Sequence, residues 1–180
     1  MPSPKRRYDP DRRARILQAT LDVVAEHGVA GTTHRRVAAA ADVPLGSMTY
    51  HFAGMDELLT EAFTLLADQV SGRFTERLAA ASTLDDACEA VVDLIVDESW
   101  ATPRNMLLSY ELYAYAARNP PLRGVMQAWM EKSRAALRQH FTAETAKVLD
   151  AVIEGLSIHR SVDAHPATRE EVRAIVRRLV

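Results

Sequence analysis

The stretch TTHRRVAAAADVPLGSMTYHF, residues 32–52, decides how this chain is read. It predicts two short helices joined by a tight turn. Thr33 is suited to cap the first helix, because its hydroxyl can accept from a backbone N–H that the first turn leaves without a partner. Arg35, Arg36, Val37 and the alanines 38–40 follow as good helix formers. Asp42 falls where the chain must turn, and a short polar side chain tolerates the left-handed backbone that such corners need. Pro44 fixes φ at the mouth of the second helix, Leu45 to His51. That helix is too short to be a core element. Its Ser47, Thr49, Tyr50 and His51 offer hydroxyl and imidazole groups suited to phosphates and base edges. A helix-turn-helix places such a second helix in the major groove of DNA.

Working outward, Asp9-Pro10 reads as an N-cap followed by proline at the first helical position. The helix it opens runs to about His27, with Ile16, Leu17, Leu21 and Val24 on one face and Gly28 as its stop. On the other side, Asp56 caps a fourth helix to about Ala80, striped by Leu59, Phe63, Leu66, Val70 and Phe74. At 1.5 Å per residue it would span about 35 Å, enough to join the first three helices mechanically to the rest. Further helices are expected at about Leu84 to Ser99, Thr102 to Asn119, from Pro120 along a face of Leu122, Val125, Met126, Trp129, Met130, Ser133 and Leu137, at Ala143 to Ser161, and from Thr168 to the end. The expectation is an all-α chain of about nine helices. A three-helix head would occupy residues 1–55 and a six-helix body residues 56–180. No strand pattern, repeat or low-complexity segment is present in the sequence.

The first third of the chain, roughly residues 9 to 60, resembles the DNA-binding domain of the TetR family of bacterial transcriptional repressors. The carrying residues are Ile16, Leu17, Gly28, Thr32-Thr33, Arg35, Val37-Ala38, Val43, Gly46, Tyr50-His51-Phe52 and Leu58-Leu59, in that order and spacing. The resemblance implies an all-helical homodimer with a small-molecule pocket in each subunit and no catalytic activity. Thr33 matches a phosphate-contacting helix start, and Arg35 a position that reaches a base edge. Leu45, Gly46, Ser47 and Thr49 match exposed positions of the recognition helix, and Tyr50 and His51 match phosphate contacts. Arg36 lies beside them, either on DNA or on a solvated face. Three positions depart from the family pattern. Met55 stands where many members carry a phosphate-binding Lys or Arg, Asp42 replaces a usual turn glycine, and Leu45 is apolar where a polar base reader is common.

Charge fits this orientation. The chain's formal net charge is −2. Residues 1–55 nevertheless carry eight Lys/Arg against five Asp/Glu, and the excess of acid lies in the remainder. A basic end on an acidic body turns that end toward a polyanion. The cluster Lys5-Arg6-Arg7 in residues 1–8 reads as a disordered arm that either follows DNA or stays solvated. One cysteine, Cys88, excludes an internal disulfide and fits a reducing cytoplasm. No apolar run approaches the roughly 20 residues of a membrane span, and the N-terminus has no secretory h-region. The six histidines show no zinc spacing, and the acidic pairs Asp85-Asp86 and Asp97-Glu98 point apart on a helix. No metal, cofactor or enzymatic constellation is expected.

Two regions of the body carry further expectations. Tyr and Trp offer apolar walls with a polar handle, which suits a cavity. Phe74, Trp100, Met106, Tyr110, Tyr113, Met126, Trp129 and Met130 are therefore candidate ligand contacts, with Glu98 and Glu111 as candidate counter-charges for a cation. The expected effector is a flat, mostly apolar compound with one or two hydrogen-bonding groups. In the last two helices, Leu149, Val152, Ile153 and Leu156 repeat at helical spacing, as do Val172, Ile175, Val176 and Leu179. Ala151 and Gly155 would allow close helix approach. These faces either form a four-helix dimer interface or pack on their own body. A two-fold dimer would read an inverted-repeat operator. The sequence thus points to a repressor relieved by a small molecule. The alternative is a helical ligand-binding or scaffold protein without an operator.

Overall fold

A computed structural model of the protein describes residues 10–97 and 102–180. The described residues form nine helices and no strand. Residues 1–63 and 64–180 make two compact units, and the division falls inside the fourth helix.

In the first unit, α1 spans Arg12–Gly31, α2 His34–Ala40 and α3 Gly46–His51, and α4, Met55–Ala79, begins here. Their apolar faces meet in one core of Ile16, Val23, Val37, Met48, Phe52 and Leu58 with smaller neighbours. The expected opening of α1 is corrected. The helix starts at Arg12 with Asp11 at the N-cap, and Pro10 lies exposed before it. Gly28 does not end α1 but kinks it. Its φ of 68° is open to glycine at no steric cost, so the chain resumes one more turn to Gly31. Thr32 then closes the end, its hydroxyl donating to the Gly28 carbonyl at 2.8 Å and its N–H to Val29 at 3.1 Å.

The second unit contains the rest of α4, then α5 (Leu84–Val96), α6 (Pro103–Ala116), α7 (Pro120–Leu137), α8 (Ala143–Val162) and α9 (Arg169–Leu179). Thr83, Thr102, Thr142 and Thr168 cap α5, α6, α8 and α9 through their hydroxyls. At α5 and α9, Asp86 and Glu171 return the bond to the cap backbone, a reciprocal pair that satisfies two otherwise orphaned donors. Those backbone and hydroxyl donors hold the Asp86 and Glu171 carboxyls below their ordinary values. The helix α5 stops at Val96, short of Ser99, as Asp97 turns extended. α6 stops at Ala116, short of Asn119. There Arg123 donates to the carbonyls of Ala116 and Ala117, at 3.3 and 3.0 Å.

α5 is the spine of this unit. It packs against α8 and α9, while α6 packs against α7 and α8. Leu149, Val172 and Val176 are fully buried here with Val91, Leu94 and Leu137. This corrects their expected place on a subunit interface, because the apolar spacing that marked them serves the chain's own core. Outside that core, α9 is tied to α5 by a ladder of ions. Arg169, Arg173 and Arg177, four residues apart, face Asp93, Glu89 and Asp85. Arg77 from α4 joins at Asp93. The hydrogen bond from Arg173 holds the Glu89 carboxyl below its usual value. At Asp93 burial opposes the charge, but the guanidiniums of Arg77 and Arg169 outweigh it and the carboxyl is again lowered.

Candidate nucleic-acid interface and ligand cavity

The residues of α2 and α3 are set by their turn. Asp42 takes φ 51°, the one non-glycine at positive φ among the described residues. Its N–H reaches the Ala39 carbonyl at 3.2 Å, and the N–H of Val43 reaches Ala38 at 3.0 Å. These two bonds close α2 as a Schellman motif, so Asp42 does the work of the usual glycine. At the other end the Thr33 hydroxyl accepts from the Arg36 N–H at 3.2 Å. Its own O–H remains able to donate outward. Leu45 occupies the N-cap of α3 rather than its first turn.

Arg35, Thr33, Leu45, Gly46, Thr49 and Tyr50 are exposed, and His51 is half-buried. Tyr50 is 81% exposed, with the edge of its ring against His51 at 4.9 Å between centroids. One expected reader position differs. Ser47 is buried on the inner side of α3 beside Met48, so it is not an exposed reader position. The Arg36 guanidinium bonds the Gly31 carbonyl, which engages it at the end of α1. Behind α3, the Arg13 guanidinium lies 5.0 Å from the centroid of the Phe52 ring and bonds Glu61 at 2.6 Å. The Ala53 N–H donates to Glu57 at 2.5 Å. Both contacts fall at Phe52 and Ala53, where the chain leaves α3 just after Tyr50 and His51.

The second unit holds a cavity of about 160 Å³. Of the expected ligand residues it brings together Phe74, Met106, Tyr110, Tyr113, Met126, Trp129 and Met130. Trp100 and Glu98 lie outside the described residues, and Glu111 is not in the lining. α6 is less buried than its composition implies, since Leu107 is 50% and Tyr113 39% exposed. One wall was not anticipated. Asp150, Ile153, Glu154 and Ser157 of α8 line it, so Ile153, expected on a subunit interface, contributes to the cavity wall. Asp150 accepts from Arg134 Nε at 2.8 Å, and Tyr113 donates to Glu154. Burial raises the Asp150 carboxyl above its ordinary value, against the pull of Arg134. Burial and the Glu154 carboxylate push the Tyr113 phenol up as well. The described residues hold no cluster of three or more metal-ligating side chains. No described helix is long and apolar enough to cross a membrane.

Residues 16–62, the helix-turn-helix with its flanks, match the bacterial regulatory proteins of the tetR family. Residues 82–180 match the tetracyclin repressor-like C-terminal domain. The chain belongs to the TetR family. As a TetR-family member it is a DNA-binding transcriptional regulator. It is 31% identical over 140 residues to the HTH-type transcriptional regulator CymR of Pseudomonas putida, covering 73% of this chain and 66% of CymR. Among solved structures, SCO7518 of Streptomyces coelicolor A3(2) is 47% identical over 94% of this chain and 98% of its own, with a TM-score of 0.89. The multidrug binding protein EbrR in complex with ethidium is 36% identical, over 96% of this chain and 100% of its own, with a TM-score of 0.78. Other structures of EbrR hold proflavin and malachite green. The two family matches fall on the helix-turn-helix with its flanks and on the helical body that holds the cavity.

Proposed function

We propose that this TetR-family regulator is a homodimeric repressor that binds an inverted-repeat operator and is released by a small molecule in the body cavity. Residues 1–55 read DNA in the cytoplasm, and residues 56–180 bind effector and partner subunit. The observation that carries the reading is the pairing of exposed Arg35 and Tyr50 with the hydrogen-bonded Asp42 corner. Arg35 can address a guanine edge, and Thr33, Tyr50 and His51 can hold phosphates. Leu45, 51% exposed, is placed for a thymine methyl.

The cavity supports effector control. It is walled by apolar and aromatic side chains with a few polar groups, and the similar EbrR was solved with ethidium in complex. α4 supplies Leu58 to the head's core and Val70 and Phe74 to the cavity lining, so one helix carries residues of both sites. An effector that prefers a state unable to bind the operator must weaken DNA binding by the same factor.

Selection of DNA from a random pool by the purified protein tests the reading. An inverted repeat with half-sites about one helical turn apart, or a multiple, is expected. Recovery of no common sequence would overturn it. A compound that quenches Trp129 fluorescence should also release the selected DNA. Binding without release would leave the operator reading standing and remove the effector mechanism.

A further inference from the structure

We propose that the body cavity selects a singly charged aromatic cation, with the Glu154 carboxylate as its counter-ion. This deepens the effector reading above and rests on it. Among the described residues that line the cavity, the charged side chains are Asp150 and Glu154, both from α8. They are not equivalent. Asp150 is matched by Arg134, whose Nε lies 2.8 Å from its carboxylate. Among the described residues, the donor at Glu154 is the Tyr113 hydroxyl, a neutral group. The pair with its one guanidinium therefore leaves a single negative charge, and that charge sits on Glu154.

The rest of the wall is what an aromatic cation needs. Phe74, Trp129, Tyr110 and three methionines supply polarisable surface, and aromatic faces attract a cation that has lost its water. Each class of ligand meets a different balance. A neutral ring would displace water from Glu154 and give nothing back, which disfavours an ionised carboxylate. An anion would meet Glu154 directly. A dication would bring one charge more than the cavity can match, since Asp150 is already paired. A monocation alone leaves the site neutral, and its attraction to Glu154 is strengthened by the low dielectric around it. At about 160 Å³ the cavity resembles in size the apolar cavity of about 150 Å³ that accommodates benzene. A one- or two-ring cation suits it, with part of the molecule at the mouth.

The test uses two compounds with the same heavy atoms, 1-methylquinolinium and 4-methylquinoline, at slightly alkaline pH where the second is neutral. Binding is followed by quenching of Trp129, and release by the mobility of the selected operator. The cation is expected to bind the full-length protein at least tenfold more tightly than its neutral twin. Glu154→Gln, which keeps size and a hydrogen bond to Tyr113, should remove that preference and bring the two compounds within about twofold of each other, the cation binding more weakly than to the parent. Circular dichroism confirms that the variant folds, and Trp129→Phe confirms that quenching reports the cavity. Equal affinity for the two compounds in the parent overturns the proposal, as does a preference that survives in Glu154→Gln. Release of DNA by the neutral compound with no advantage for the cation would sink the charge proposal while leaving the effector reading intact. Failure of both compounds to quench Trp129 overturns the proposal for this cavity. Binding of the cation without release of DNA instead overturns the effector reading and spares the charge preference.

Discussion

Arg35 and Arg36 are neighbours with different fates. Both are exposed on α2, but the Arg36 guanidinium is held at the Gly31 carbonyl. Arg35→Ala should therefore cost roughly 1–3 kcal/mol of specific operator affinity and relax preference at one base pair. Arg36→Ala should leave base preference unchanged and lower the thermal stability of the head. Quantitative gel shifts on single-base operator variants separate the two, and an unchanged specificity profile in Arg35→Ala would refute its assignment. Tyr50→Phe should weaken binding evenly across sequences, because phosphate contacts position without specifying. At this scale the sequence was readable where chemistry is local. The Thr33 cap and the left-handed Asp42 follow from side-chain reach and backbone sterics. Ser47 was misjudged because a helix of six residues has too short a pattern to tell its inner from its outer side.

α9 shows how an element can depend on charge. It has few apolar residues, two of them buried, and its polar side is bound to α5 by the three arginines. Each partly exposed pair contributes only about 0.2–1 kcal/mol, less in salt. Replacing Arg173 by Met should lower the urea midpoint slightly and make it less sensitive to sodium chloride. Acid should act on the same ladder. Glu89 and Asp93 have folded values lowered from ordinary carboxyl values near about 4. Their contribution is then complete above about pH 4 and is lost as pH falls through the lowered folded values. A melting temperature that is flat with pH through that acid range would contradict the ladder. The apolar side behaves differently. Leu149→Ala should destabilise the body by about 2–5 kcal/mol, as loss of a filled core position does. Helical spacing identified Leu149, Val172 and Val176 as buried, but periodicity does not say whether the burying surface is the same chain or another. The acids of α8 were missed for a related reason. Asp150 and Glu154 look in sequence like any solvated helical acids, and only the packing of α6 and α7 against α8 turns them inward.

On the proposed dimer reading, a second subunit needs a face that the chain's own core leaves free. With Leu149, Ile153, Val172 and Val176 used internally, α8 keeps an outward stripe of Val148, Val152, Gly155 and Val162. Val148 is 45% and Val162 75% exposed, and a Cβ on Gly155 would meet nothing within 4 Å. Ile175 of α9 is half-buried and remains a candidate at its edge, whereas Leu156 and Leu179 pack against the chain's own core. If the proposed dimer forms through this stripe, Val148→Asp with Val152→Asp should leave a species of 20.0 kDa in sedimentation and reduce operator affinity at fixed subunit concentration. An unchanged sedimentation profile would place the interface elsewhere.

α8 also shows two faces to two different readers. Asp150, Ile153 and Glu154 line the cavity, and Val148, Val152 and Gly155 look the other way from the same rod. On the dimer reading, a guest that shifts this rod changes how well it fits its twin, and the twin changes how well it fits the guest. The amount of protein in the cell then becomes a control knob. A cell that makes more of this regulator would change not only how often the operator is filled but how much effector is needed to clear it. Effector titrations repeated across the dilution at which the dimer separates should give different midpoints, and the drift between them measures the conversation between the two faces.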